Sequence, residues 1–170
     1  IGFMYADETG VNVCEMNPDG TGRKAISDLK EGDLEGFSYS PDGTKVVYVR
    51  AVPKQDKYAK LKEGLDKTTG RINDDLAYRH WDNWVDAIPQ PFIASFDGEK
   101  IGEGKNILEN TEFESPMRPW GGMEQIAWSP DSKSIAYTCR KKVGKDYAFS
   151  TNSDIYLYNI EKQTTENLSE

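Results

Sequence analysis

The sequence predicts an all-β fold: a partial β-propeller of four-stranded antiparallel blades with one helical insertion at about residues 54–86. Three observations predict it. Phe37-Ser38-Tyr39-Ser40-Pro41-Asp42-Gly43-Thr44-Lys45-Val46-Val47-Tyr48-Val49 returns as Ile126-Ala127-Trp128-Ser129-Pro130-Asp131-Ser132-Lys133-Ser134-Ile135-Ala136-Tyr137-Thr138. Each copy reads as strand, tight turn, strand, and a repeated hairpin signals a repeat architecture. Strand-like runs and turn signals alternate along most of the chain. The stretch from Ser40 to Ser129 is far longer than one blade of about 40–45 residues, so something is inserted between the copies.

Ile1 to Tyr5 opens in mid-strand, with no initiator Met and no signal peptide, so a longer chain is expected. Asp7-Glu8-Thr9-Gly10 is a turn and Asn12 to Met16 a short strand. Asn17-Pro18-Asp19-Gly20-Thr21-Gly22 turns the chain into a short strand at Arg23 to Ile26. The first phrase places strands near Leu34–Tyr39 and Lys45–Arg50, with Pro41 suited to the first central position of the turn and Asp42-Gly43 to its remaining positions. Strands are predicted again at Pro91–Phe96, Lys105–Leu108, Gln125–Trp128, Ser134–Arg140, Ile155–Ile160 and Thr165–Leu168. The order amounts to about two to three four-stranded units within residues 1–170.

From Ala51 to Gln90 this pattern breaks. Lys54–Leu65 reads as a helix with Tyr58, Leu61 and Leu65 on one side. Asp74 to Val85 reads as a second helix, with Leu76, His80 and Trp84 at i, i+4 and i+8. Asn73 or Asp74 suits its cap, and Asp74 and Asp75 suit its positive end. A second unusual loop, 110–122, carries Phe113, Pro116, Met117, Pro119 and Trp120 before Gly121-Gly122; it is apolar and stiff, suited to covering the insertion or closing a channel.

Composition excludes several classes. Net charge is −8 over 170 residues and the isoelectric point about 4.8, against nucleic acid binding, which needs clustered Lys and Arg. No apolar run reaches the roughly 18 residues of a membrane span. Cys14 and Cys139 are too few for a disulfide framework and sit in strand-like runs, as ordinary buried thiols do. His80 is the single histidine and has no His or Cys at metal-ligand spacing, so neither a metal site nor a cofactor is expected. There is no Gly-x-Ser-x-Gly elbow, so no catalytic residue is assigned and the chain alone should be inactive. Asp19, Asp42 and Asp131 sit in turns, where aspartate bonds its own backbone.

The Ser-Pro-Asp-Gly-Thr-Lys hairpin resembles the propeller repeats of the prolyl oligopeptidase family and of TolB-like proteins. The segment Ile72-Asn73-Asp74-Asp75-Leu76-Ala77-Tyr78-Arg79-His80-Trp81-Asp82-Asn83-Trp84 is similar to one in the N-terminal propeller of the bacterial dipeptidyl peptidase V and acylaminoacyl peptidase branch. The resemblance implies a non-catalytic propeller that gates a C-terminal α/β-hydrolase domain of the same chain. It also implies a peptide substrate and a periplasmic or secreted setting. Under it, His80, Trp81 and Trp84 either pack a helix onto the propeller or border the substrate chamber. Asp74, Asp75 and Asp82 either stabilise that helix and face solvent or hold a substrate ammonium, and Arg79 pairs with one of them or stands nearby. The alternatives from other classes are a TolB-like protein-binding module and a metal-dependent small-molecule hydrolase.

Overall fold

The computed structural model describes residues 1–8, 10–29, 34–55, 57–58, 61, 63–64, 67–76 and 78–169. The run Lys45-Val46-Val47-Tyr48-Val49 shows how the fold is organised. Its apolar residues do not alternate with polar ones, because both faces of its strand are covered. Val46 and Tyr48 pack with Val13, Ile26, Leu34 and Ala94 on one side. Val47 and Val49 pack with Ile93, Ile126, Ile135 and Tyr137 on the other.

Three antiparallel sheets stack in chain order around those two cores. The first is β1 (Gly2–Asp7), β2 (Gly10–Glu15) and β3 (Lys24–Ala25). The second joins β4 (Leu34–Tyr39), β5 (Lys45–Pro53), β8 (Ala87–Ser95) and β9 (Lys105–Asn106), in that order. The third is β10 (Ile126–Trp128), β11 (Ser134–Cys139), β12 (Asp154–Asn159) and β13 (Thr164–Asn167). The second and third are the predicted four-stranded meanders; the first has three strands.

The two copies of the repeated phrase form equivalent turns. In each, the serine hydroxyl donates to the aspartate carboxylate, at 2.7 Å for Ser40–Asp42 and 2.6 Å for Ser129–Asp131. The strand after the turn returns an amide to the serine Oγ at 2.9 Å, from Lys45 and from Ser134. The serine hydroxyl, together with the amide of Thr44 in one copy and of Lys133 in the other, holds the Asp42 and Asp131 carboxyls below the usual carboxylate range. Gly43 takes φ 70° and its counterpart Ser132 φ 59°, a conformation glycine adopts freely and serine rarely. Ser132 is fully buried, and its Oγ accepts the Asp42 amide at 3.0 Å, so the departure from glycine fastens one turn to the other. Trp128 Nε1 adds a bond to the Ser38 carbonyl at 3.2 Å, again from the third sheet to the second.

Strand β8 begins four residues earlier than Pro91, where the sequence places it. Two prolines weigh against a strand. Pro89 and Pro91 carbonyls accept from Ser115 at 3.0 Å and Ile107 at 3.1 Å, on the side away from β5. The missing proline N–H groups point to that same side and cost no rung with β5.

Among the described residues, the helical insertion expected at 54–86 contains no α-helix. The described part of 54–65 is turn, with one 3-10 bond from the Leu61 amide to the Tyr58 carbonyl; Leu65 lies outside the described residues. Residues 79–84 form a two-stranded hairpin, β6 (Arg79–His80) and β7 (Asn83–Trp84), extended by the Val85 amide on the Tyr78 carbonyl at 3.0 Å. A helix in a protein draws most of its stability from packing an apolar face. Leu76 and Trp84 remain exposed, so that face has nothing to pack on. The aromatic run Tyr78-Arg79-His80-Trp81 has strand propensity, and Trp81 makes the turn at φ 51°. Arg71 and Arg79 lie over the Trp84 ring at 4.3 and 5.1 Å and hold the hairpin from outside. No described helix is long and apolar enough to cross a membrane.

Candidate functional site at the loop end

Antiparallel meanders send alternate connections to opposite ends. The Ser-Pro-Asp turns therefore share one end. The β5–β8 insertion, the 107–125 connection between sheets and the β11–β12 connection share the other. Each of these three is long, and they converge.

Two hydrogen-bonding devices position them. Gln90 is fully buried on β8; its Nε2 donates to the Thr111 and Phe113 carbonyls at 3.1 and 2.9 Å, and its Oε1 accepts from Asn106 at 2.7 Å. This fastens the start of the second loop to β8 and β9. Arg118 then donates to Glu35 at 2.8 Å and to the Ala87 carbonyl at 3.2 Å. At the base of the insertion the Lys54 amide donates to the Asp86 carbonyl at 2.8 Å, and Arg71 pairs with Asp86 at 2.6 Å.

A cavity of about 190 Å³ opens where the loops meet, walled by Asp75, Arg79 and His80 of the insertion, Glu114 and Arg118 of the second loop, and Arg140 and Tyr147 of the third. A neighbouring cleft of about 310 Å³ lies within the insertion and includes Asp74 and Asp75. Ion pairs cross it: Lys54 meets Asp75 at 3.0 Å and Lys57 meets Glu112 at 3.8 Å. In the smaller cavity Glu114 lies 3.7 Å from Arg140. Burial nevertheless pushes the Glu114 carboxyl up, outweighing the pull of Arg140 and Arg118. Burial pushes the Tyr147 phenol up to about 12, so at neutral pH it is protonated.

The residues singled out in the sequence are therefore divided. Asp75, Arg79 and His80 wall the smaller cavity and Asp74 the cleft, where Tyr58 bonds it. Trp81, Asp82 and Trp84 lie outside both, on the exposed hairpin. Trp81 is 71% exposed and Trp120 79% exposed; their rings meet edge to face at 5.4 Å, while His80 stacks under Trp81 at 5.5 Å. The 110–122 loop thus touches the insertion at its tip. Sequence reasoning missed Glu114, Arg118, Arg140 and Tyr147. Glu114 carried a signal, one of two acids, with Glu112, inside a largely apolar, proline-rich loop; Arg140 and Tyr147 carried none. The cysteines are free and buried, and burial pushes the Cys139 thiol up to about 12, which leaves it un-ionised and poorly nucleophilic.

The stacked four-stranded sheets, turns at one end and long loops at the other, define a propeller-type repeat protein. Acylaminoacyl peptidase from Pyrococcus horikoshii has the same arrangement, with TM-score 0.56 and 16% identity over 99% of this chain and 23% of that one. TolB from Agrobacterium tumefaciens matches with TM-score 0.50 and 12% identity over 99% and 44%. At these identities the likeness is one of fold. Sequence gives the nearer relation: the chain is a homologue of part of the dipeptidyl-peptidase 5 proteins. It is 47% identical over 139 residues to dipeptidyl-peptidase 5 of Porphyromonas gingivalis, covering 82% of this chain and 20% of that protein. It is 39% identical over all 170 residues to that of Porphyromonas endodontalis, or 24% of that protein. The chain thus spans about a fifth to a quarter of the length of the curated relatives it matches. No family model matches it.

Proposed function

We propose that this chain is the substrate-gating propeller part of a serine peptidase acting on short peptides, working with an α/β-hydrolase domain of the full-length protein. The observation that carries the reading is the convergence of three long connections on one end of a rigid sheet stack, in a chain whose relatives are named dipeptidyl-peptidase 5. Binding surfaces are characteristically loops held by such a scaffold. The part these residues play is exclusion and orientation. In this reading the exposed hairpin with Trp81, Asp82 and Trp84 restricts entry. In the same reading Asp74, Asp75, Arg79 and His80 steer a peptide end before attack by a nucleophile elsewhere. A substrate ammonium would compete with Lys54 for Asp75. The resemblance to secreted and periplasmic members supports the same setting here.

The test is turnover by the full-length protein of dipeptidyl and N-acetyl-aminoacyl chromogenic substrates, with a serine-reactive inhibitor as control. Inhibitor-sensitive cleavage of at least one is expected, and none on either refutes the peptidase reading. Replacing residues 79–84 by a short turn should raise cleavage of an unfolded protein relative to a dipeptidyl substrate. An unchanged ratio would remove the gating role.

A further inference from the structure

The inner wall of the 190 Å³ cavity has a feature that gating alone does not use. Two of its buried polar atoms, Arg140 Nε and His80 Nε2, have no hydrogen-bond partner among the described residues. Buried polar groups in native proteins are nearly always bonded, and those that are not call for an explanation. The side chains that carry them belong to different loops and line one space. The Arg140 guanidinium is fixed on both sides, over the Tyr147 ring at 4.9 Å and beside Glu114 at 3.7 Å. At 3.7 Å Glu114 neutralises charge but stands beyond hydrogen-bond reach. The nearby Arg118 is already engaged by Glu35 and the Ala87 carbonyl.

The charge balance points the same way. The lining carries four cationic side chains and three carboxylates, an excess of one positive charge. The cavity is also small. Whole-ligand pockets run from about 300 Å³ upward, so this one fits an end group rather than a peptide.

We infer that this cavity binds one carboxylate of a peptide, its oxygens accepting from Arg140 Nε–H and from a protonated His80 Nε2. The inference rests on the peptidase reading and deepens it by naming the group this wall recognises. The carboxylate belongs either to a peptide C-terminus or to an acidic side chain, and the test separates the two. His80 contributes the second donor only as the tautomer or cation with a proton on Nε2.

The experiment is calorimetric titration of the full-length protein with three probes: N-acetyl-Phe-Gly, its C-terminal amide, and N-acetyl-Asp-Gly amide. At least one carboxylate probe should bind about tenfold or more tightly than the neutral amide, as a charge-assisted pair predicts. The probe that does so names the source. Arg140→Lys keeps the charge beside Glu114 and removes the Nε–H; His80→Phe keeps the stack on Trp81 and removes Nε2. Each should erase most of that preference. Should Arg140→Lys fail to fold, His80→Phe carries the test alone. Equal binding of all three probes by the wild type overturns the inference, as does a preference that survives in the folded variants. Peptidase turnover measured in parallel keeps the two ideas apart. Turnover without a carboxylate preference sinks only the cavity assignment; a carboxylate preference without turnover sinks only the peptidase reading.

Discussion

The two ends of the sheet stack are built on opposite rules. At the turn end the polar groups of the repeated phrase have local jobs: Asp42 collects two hydroxyls and an amide, Asp131 a hydroxyl and an amide, and Ser132 bonds across to the neighbouring sheet. At the loop end two tryptophans stand in solvent, buried Arg140 and His80 atoms go unbonded, and Glu114 is buried against its preference. The contrast separates residues kept for the scaffold from residues kept for what the scaffold presents. Changes at the turn end or in the core should therefore register as stability, and changes at the loop end as binding or selectivity.

The largest expected effect tests the scaffold side. Ile135→Ala in the core between the second and third sheets should cost about 2–5 kcal/mol by denaturant titration. A cost below about 1 kcal/mol would mean the sheets do not depend on that core. Ser132→Ala keeps the left-handed backbone but strands the Asp42 amide, for an expected loss of about 1–3 kcal/mol. Ser132→Gly relieves the backbone at the same time and should lose less. Asp42→Asn probes the same end through pH. The folded state holds this carboxyl below its ordinary range, so its contribution is present above that range and fades as pH falls through it. The melting-temperature gap between wild type and Asp42→Asn should thus close in acid, and a constant gap would contradict the bonding described.

At the loop end Glu114 carries the opposite sign. Burial raises its folded value, so the ionised form burdens the fold at higher pH and the burden is lifted as pH falls. Glu114→Gln resembles the protonated acid, so its melting temperature relative to wild type should rise with pH. A gap that shrinks with rising pH would show that Arg140 and Arg118 outweigh burial. The smallest stability effect is expected for Trp81→Ala with Trp120→Ala, within about 1 kcal/mol because both rings are mostly exposed. The same double variant should change the ratio of peptide to protein cleavage in the full-length protein. A large stability loss with no change in that ratio would erase the division between the ends.

The scaffold was legible because its rules are local. Ser40-Pro41-Asp42-Gly43 and Ser129-Pro130-Asp131 specify their turns through bonds closed within six residues, and the β-rich run of β5 announces a strand, though not that both its faces are buried. The insertion was misread because Leu76, His80 and Trp84 satisfy a helical spacing while tertiary contacts decide the outcome: Trp84 is held by two arginines over its ring and Trp81 against Trp120. Half of the cavity wall was illegible for a related reason. Arg140 and Tyr147 reach Glu114 only because Gln90 and Arg118 tie the 110–122 loop down, and no spacing in the chain encodes that closure.

Serine at position 132 has a further consequence, for assembly during folding. Near-identical hairpins can trade places, and misassembly between repeats is a characteristic failure of such chains. Here the two hairpins are not interchangeable. One offers a free amide at Asp42, the other a buried hydroxyl at Ser132, and only one order of stacking lets them meet. A transposed arrangement would set glycine where the hydroxyl is needed and leave the facing amide without its acceptor. A single methylene and oxygen thus work as an address label, telling each copy of the phrase which neighbour it belongs beside.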